Sequence, residues 1–138
     1  MIEKITKKAE LENMRFFVDF ISRFLEKTEF SKNSVFDILQ ASEEILINII
    51  NYAYPEGAGD VEVICKYEKE NNKISITFTD NGIYFDMRTA KKPDLTLLIE
   101  RRRVGGVGIY LVKTLMNEIL YNRENEKNVL TIIKSEKL

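Results

Sequence analysis

A carboxylate and two amides lie along one line of an apolar segment, SEEILINIINYAY, which runs from residue 42 to residue 54. Glu44, Asn48 and Asn51 are spaced so that, on a helix, their side chains stack on one face. Polar groups in an apolar setting are costly unless something binds them. An amide oxygen is a hard ligand suited to Mg²⁺. A carboxylate one turn away can take a proton from an attacking hydroxyl or water.

The alternative interpretation of this segment is a solvated polar strip on an amphipathic helix. Two features weigh against it: Ile47 and Ile50 flank the strip, and its members are not the lysines and glutamates usual on a wet face. Glu43 points about 100° away round the helix, so we expect it to be solvated. The residues alone leave both interpretations open.

A second candidate is Asp80, which ends an apolar strand pattern and is followed by Asn81 and Gly82. Asp-Asn-Gly is typical of a turn, and a turn is the simplest explanation. The functional interpretation is a fixed carboxylate at the mouth of a pocket, where it can accept a hydrogen bond from an exocyclic amine.

A third candidate is a group of glycines, Gly105, Gly106 and Gly108, which precede a helical pattern. Glycines at the start of a helix let backbone N–H groups approach a phosphate, although such a segment can also be only a turn. It is not a Walker A loop, because Lys and Ser/Thr do not follow at the required spacing. A Rossmann fingerprint also fails, since its third glycine would fall at Leu111.

Composition narrows the class of protein. The chain has 138 residues, 44% hydrophobic and 31% charged, which predicts one globular domain over residues 1–138. A net charge of −1 gives no reason to expect nucleic-acid or membrane binding. The sequence has no histidine, which excludes a Ser-His-Asp triad. The N-terminus lacks a signal-peptide pattern, so we expect a cytoplasmic protein. The single cysteine, Cys65, is expected to be core packing.

Hydrophobic periodicity predicts the elements that position these candidates. Ser31 or Asn33 is expected to cap the second helix, and Ile74, Ile76 and Phe78 are expected to face the core. The predicted order is a strand at 2–6, a helix from Leu11 to about Lys27, a helix to about Tyr54, a hairpin of Val61–Tyr67 and Lys73–Thr79, a long connection, a helix after the glycines, and strands at Glu118–Arg123 and Asn128–Lys134. This order predicts an α+β, two-layer sandwich with a mixed, mostly antiparallel sheet and helices on one face.

Three motifs in this order resemble the GHKL superfamily of ATPases, and most closely the small stand-alone serine kinases that act as bacterial anti-sigma factors. EEILINIINYAYP resembles their N box, DNGIYFD their first glycine box and VGGVGIYLVKTLMNEI their second. KKPDLTLLIERRRVGG is similar to their short lid. The resemblance covers the chain from Leu11 through the last strand.

The resemblance implies a Bergerat fold, in which ATP lies between the helical layer and the lid. Glu44 would be the catalytic base, and Asn48 would carry Mg²⁺. Asn51 would support the phosphates or the metal. Asp80 would accept from the adenine amino group, and Gly82 would let the chain pass close to the base.

The resemblance also implies a phosphate site at the second glycine box. Its members would be Arg103, Gly105, Gly106, Val107 and Gly108. Val104 occupies the place nearest to the arginine of the anti-sigma kinases, so Arg103 is the best substitute, with Arg101 and Arg102 behind it. A solvated basic loop is the alternative for these arginines.

Two further positions depart from the superfamily pattern. Tyr84 replaces the second glycine of the first box, which would alter the adenine pocket or the lid entry. The region of the Thr that helps to hold the adenine-binding Asp reads EKNVLTII here. Thr131 is therefore expected to be only a strand residue.

The function implied is an ATP- and Mg²⁺-dependent protein serine/threonine kinase. Its partners would be a small anti-sigma-factor antagonist, which it phosphorylates, and a sigma factor. Family precedent suggests a homodimer, for which the aromatic first helix could supply an interface; core packing of its aromatic residues is the alternative. The alternative is a nucleotide-gated binding module that sequesters a regulator with little or no catalysis.

Overall fold

The computed structural model describes residues 1–89 and 106–137, which form one antiparallel sheet with helices packed on it. The strands are β1 (Ile2–Lys8), β2 (Asp60–Glu68), β3 (Lys73–Asp80), β4 (Glu118–Glu124) and β5 (Lys127–Ser135). The helices are α1 (Met14–Glu26), α2 (Lys32–Tyr52) and α3 (Gly106–Leu115). The spatial strand order is β1-β2-β3-β5-β4.

The predicted α+β sandwich is confirmed, and its sheet is simpler than the mixed one that the sequence allowed. Each of the four strand pairings is antiparallel. The alternation along β3 buries Ile74, Ile76 and Phe78, as predicted. Because successive strand side chains point to opposite faces, these residues form the layer that meets the helices.

The register between β3 and β5 decides which residues meet at the end of the sheet. Thr77 lies opposite Thr131, and Asp80 lies opposite Asn128. The Thr77 and Thr131 hydroxyls are 2.9 Å apart and share a hydrogen bond. Alternation places this threonine pair on the opposite face from Asp80 and Asn128.

Helix α2 is anchored at its N-terminus by its own cap and by a side chain that follows β5. The Ser31 hydroxyl accepts from the Ser34 N–H at 3.2 Å, which is the N-cap bond that the sequence predicts. The Glu136 carboxylate accepts from both of these serine hydroxyls, each at 2.6 Å. A negative charge at this end of a helix is favourable, so the residue that follows β5 helps to fix the helix that carries the candidate residues.

Helix α1 buries Phe17, Ile21 and Phe24 against the core and leaves Phe16 partly exposed. Cys65 is buried in β2, as its alternating context predicts. Within residues 1–89 and 106–137, we find no helix with the length and apolarity needed to cross a membrane.

Candidate functional site

A pocket lies between the second half of α2, the end of β3 and the strands β4 and β5. It is mainly apolar and aromatic, with three polar side chains among its walls, as is typical of small-molecule sites. The lining residues are Asn48, Ile49, Tyr52, Ala53, Phe78, Asp80, Ile83, Phe85, Met87, Tyr121, Asn128 and Leu130. The sequence candidates Asn48 and Asp80 therefore share one pocket, although they come from a helix and a strand.

Asp80 is a buried carboxylate with a fixed orientation. Its Oδ1 atom accepts from the Gly82 N–H at 2.8 Å and from Asn128 Nδ2 at 3.0 Å. Burial raises the pKa of Asp80, whereas these two hydrogen bonds and the Arg123 charge lower it. Since both bonds fall on Oδ1, Oδ2 is the oxygen that can accept a hydrogen bond from a ligand.

Gly82 follows Asp80 and packs directly on the end of α2. A Cβ at this position would lie 2.3 Å from the backbone oxygen of Ala53. The same oxygen accepts from the Ile83 N–H at 3.0 Å. A side chain here would therefore break the contact that holds the turn after Asp80 against the helix.

Glu44 and Asn48 are one turn apart on α2, and the Asn48 amide nitrogen donates to the Glu44 backbone oxygen at 3.1 Å. This bond uses the nitrogen, so the Asn48 side-chain oxygen is the atom that suits a hard cation such as Mg²⁺. Glu44 is half-buried, and its pKa is raised by burial and then by the charge of Glu43. A carboxylate with a raised pKa is a better proton acceptor than an ordinary Glu.

Gly108 brings the second glycine motif to Glu44. A Cβ at Gly108 would lie 2.6 Å from Glu44 Oε2 and 3.5 Å from Asn48 Nδ2. Helix α3 begins at Gly106, so Gly106, Val107 and Gly108 form its first turn. The first N–H groups of a helix have no partner within it and attract anions. Arg103 and Gly105 lie outside the described residues, as do Arg101, Arg102 and Val104.

Asn51 differs from the other two polar residues of its strip, because it is exposed and does not line the pocket. Tyr52 lines the pocket instead. A residue three positions after Asn48 is turned about 60° from it on one side, and a residue four positions after is turned about 40° on the other. The pocket lies on the Tyr52 side of the helix.

Sequence analysis missed three residues that hold this site together. Asn128 bonds Asp80, and Tyr121 donates its hydroxyl to Asn128 Oδ1 at 2.6 Å. Tyr54 donates to the Asp60 backbone oxygen at 2.5 Å and accepts from the Asn81 N–H at 2.8 Å. Tyr54 lies in the N-box segment and Asn128 in EKNVLTII, but their roles depend on contacts that only the strand register and the turn after β3 create.

Tyr84 and Thr131, the two further positions that depart from the superfamily pattern, lie on different sides of the sheet. Tyr84 is largely exposed and packs edge-to-face on Tyr121, with ring centroids 6.0 Å apart. It therefore lies beside a wall of the pocket. Thr131 pairs with Thr77 on the opposite face of the sheet, away from Asp80.

The fold and the three motifs are typical of proteins that bind nucleotides. Comparison with known protein families supports the same class of protein. The chain belongs to the histidine kinase-like ATPase domain family, whose model matches residues 8–134. The resemblance to GHKL ATPases is thereby confirmed.

Individual relatives agree with this membership. The chain is 30% identical to the serine-protein kinase RsbW of Listeria monocytogenes serovar 1/2a over 122 residues, which cover 85% of this chain and 77% of that protein. It is 29% identical to the serine-protein kinase RsbW of Bacillus cereus strain 03BB102 over 105 residues, which cover 73% of this chain and 64% of that protein.

A solved structure shares the fold. The structure of the RsbU and RsbW domains of Rv1364c from Mycobacterium tuberculosis superposes with a TM-score of 0.67. The match covers 98% of this chain and 32% of that chain, at 13% sequence identity. At this identity the similarity concerns the fold alone.

Proposed function

We propose that this chain is an ATP-dependent protein serine/threonine kinase of the anti-sigma-factor type. The observation that carries the proposal is the contact of Gly108 with Glu44, one turn from Asn48 at the pocket that contains Asp80. The candidate base is thus one turn from the candidate metal ligand on α2, and that ligand shares the pocket with a buried acceptor for an amine. Similarity to two serine-protein kinases supports the same conclusion.

The chemistry of the lining residues suggests which part of ATP each of them binds. Asp80 Oδ2 accepts from the adenine amino group, and the apolar pocket takes the ring. The phosphates lie at the start of α3, where helix N–H groups favour negative charge. The residues proposed for the phosphates are Arg103, Gly105, Gly106, Val107 and Gly108. Asn51, which is exposed, is proposed to support the phosphate or metal shell from the rim.

Glu44 acts as the general base. It takes the proton of a serine or threonine hydroxyl as that oxygen bonds to the terminal phosphorus of ATP. The bond from this phosphorus to the bridging oxygen breaks, and ADP leaves with the electron pair. Asn48 would hold Mg²⁺, which would supply positive charge to offset that of the phosphates. Gly108 leaves the space in which the Glu44 carboxylate lies beside the helix N-terminus.

The proposal includes protein partners and a setting. The phosphate acceptor is a small anti-sigma-factor antagonist, and the second partner is a sigma factor. The chain works as a single domain over residues 1–138, as a homodimer, in the cytoplasm.

The test is phosphate transfer from labelled ATP to a candidate antagonist, with ATP affinity measured separately by calorimetry. We expect Glu44→Gln to keep ATP affinity within about threefold and to lose at least about 100-fold in transfer, which is the usual size of a general-base effect. Glu43→Gln is the matched control, because it removes the neighbouring carboxylate and keeps the base. Asp80→Asn should lose ATP binding.

Normal transfer by Glu44→Gln would show that the assigned base is wrong. A wild-type protein whose affinity for its partner changes with nucleotide, but which leaves no phosphoprotein, would reject the kinase.

A further inference from the structure

Asn128 has more polar contacts than its position at the start of a strand requires. Its Nδ2 donates to Asp80 Oδ1 at 3.0 Å and to the Ile83 backbone oxygen at 2.8 Å. Its Oδ1 accepts from the Tyr121 hydroxyl at 2.6 Å and from Arg123 Nη1 at 3.1 Å. The side chain is buried and lines the pocket.

The neighbours of this amide determine which way it points. The nitrogen side faces two acceptors, Asp80 Oδ1 and the Ile83 carbonyl. The oxygen side faces donors, among them Arg123, which is always charged. Rotating the amide by 180° would put a donor against donors and an acceptor against acceptors, so a single orientation is stable.

This fixed amide in turn decides how Asp80 is presented. Asn128 and the Gly82 N–H both bind Oδ1, which leaves Oδ2 as the oxygen for a ligand in the pocket that Asp80 lines. Burial raises the pKa of Asp80, and the hydrogen bond from Asn128 is one of the contacts that lower it. A carboxylate held in this way accepts from an amino group and repels a carbonyl oxygen.

We propose that Asn128 is the positioning residue that makes this pocket select a purine with an exocyclic amino group at carbon 6. This inference deepens the proposed function and rests on its nucleotide site. Asn128 acts through Asp80 rather than by touching the reacting atoms. Tyr121 and Arg123 donate to the amide oxygen and so fix its orientation. The selectivity therefore depends on side-chain contacts that run from β4 through β5 to β3.

The test compares two nucleotides that differ in that amino group. Calorimetry measures the dissociation constants of Mg-ATP and of the Mg²⁺ complex of purine riboside triphosphate, which has hydrogen at carbon 6. We expect the wild-type protein to prefer ATP by about 10-fold or more, which is the usual size for a hydrogen bond to a charged group. Asn128→Leu should lower the affinity for ATP by about 10-fold and that for the analogue by less than about threefold.

Asn128→Asp is the second variant, because it keeps the shape and the acceptor for Tyr121 and Arg123 while replacing the donor to Asp80. It should abolish the preference for ATP even if the leucine variant fails to fold. Thr131→Val is the matched control: it removes a side-chain hydrogen bond between the same two strands, on the opposite face. Its preference for ATP should equal that of the wild type.

Two results would overturn the inference: a folded Asn128 variant that keeps the preference for ATP, or one that loses affinity for both nucleotides equally. A wild-type protein that binds neither nucleotide would overturn it as well. Failure of the kinase is distinguishable, because a protein that discriminates the nucleotides but transfers no phosphate contradicts the proposed function alone.

Discussion

Gly108 on α3 faces the carboxylate of Glu44 on α2, and a Cβ added to Gly108 would lie 2.6 Å from Oε2 of that carboxylate. The second glycine motif thus makes room for the proposed base, in addition to its expected role at the phosphates. The contact is with the end of a flexible side chain, which can rotate away.

This contact predicts that Gly108→Ala separates stability from activity. Glu44 should turn aside, so that phosphate transfer falls by about 10-fold or more, since small misplacements of a catalytic group are costly. The midpoint of thermal unfolding should hold or rise, because Ala is favoured over Gly in a helix by about 0.5–1 kcal/mol. Gly57→Ala is the control, since a Cβ there meets no atom of the described residues within 4 Å. A wild-type transfer rate in Gly108→Ala would contradict the prediction.

Gly82 should behave in the opposite way, because its neighbour is backbone. A Cβ there would lie 2.3 Å from the Ala53 oxygen, which cannot move without shifting the end of α2. We expect Gly82→Ala to reduce the free energy of unfolding by about 1–3 kcal/mol, as overpacking does, and to weaken ATP binding as Asp80 moves. Denaturant unfolding and calorimetry check both effects. Stability equal to that of Gly57→Ala would refute this prediction.

The pH dependence of transfer should report Glu44. Burial, and then the charge of Glu43, raise the pKa of Glu44. The base acts when ionised, so kcat/KM should fall, as the pH is lowered, at a higher pH than an unperturbed Glu would give. Glu43→Gln removes one cause, which lowers the pKa and moves this acidic limb to lower pH.

The measurement is kcat/KM against pH for the wild type and for Glu43→Gln, with ATP affinity followed in parallel because Asp80 also has a raised pKa. Glu70→Gln, in the exposed turn between β2 and β3, is the control and should leave the profile unchanged. If the fall of kcat/KM at low pH occurs at the same pH in Glu43→Gln and in the wild type, a group other than Glu44 controls it.

Tyr54 links the first residue of β2 to the turn after β3, and its hydroxyl is the group to test. It donates to Asp60 and accepts from the Asn81 N–H, next to Asp80. Tyr54→Phe should reduce the free energy of unfolding by about 1 kcal/mol and weaken ATP binding. Tyr67→Phe is the control, because the hydrogen bond that its hydroxyl accepts from the Glu29 N–H is long, at 3.5 Å. Equal ATP affinity in Tyr54→Phe and wild type would mean that the turn does not need this hydroxyl.

Cys65 should be chemically inert in the folded protein. Burial raises the pKa of its thiol to about 12, and the thiolate is the reactive form. A thiol reagent such as Ellman's reagent should react slowly with the native protein near pH 8 and rapidly in denaturant. Rapid reaction of the native protein would contradict the burial of this side chain.

Local pattern accounts for the parts of this molecule that sequence analysis predicted. Period-two alternation gave β3 its buried face, and helical spacing placed Glu44 and Asn48 one turn apart. The Ser31 cap is likewise local, since donor and acceptor are three residues apart. In each case neighbours in the chain determine the geometry, whatever the rest of the fold does.

The sequence by itself therefore determined the elements, the sandwich and the motif residues on each element. The tertiary structure alone decided that Asn128 holds Asp80, that Asn51 is exposed while Tyr52 lines the pocket, and that Gly108 faces Glu44. Asn128 and Asp80 are 48 residues apart, so their contact depends on a strand register that hydrophobic packing and turns set together. Periodicity describes a residue's own element, whereas a site is formed by the packing of several.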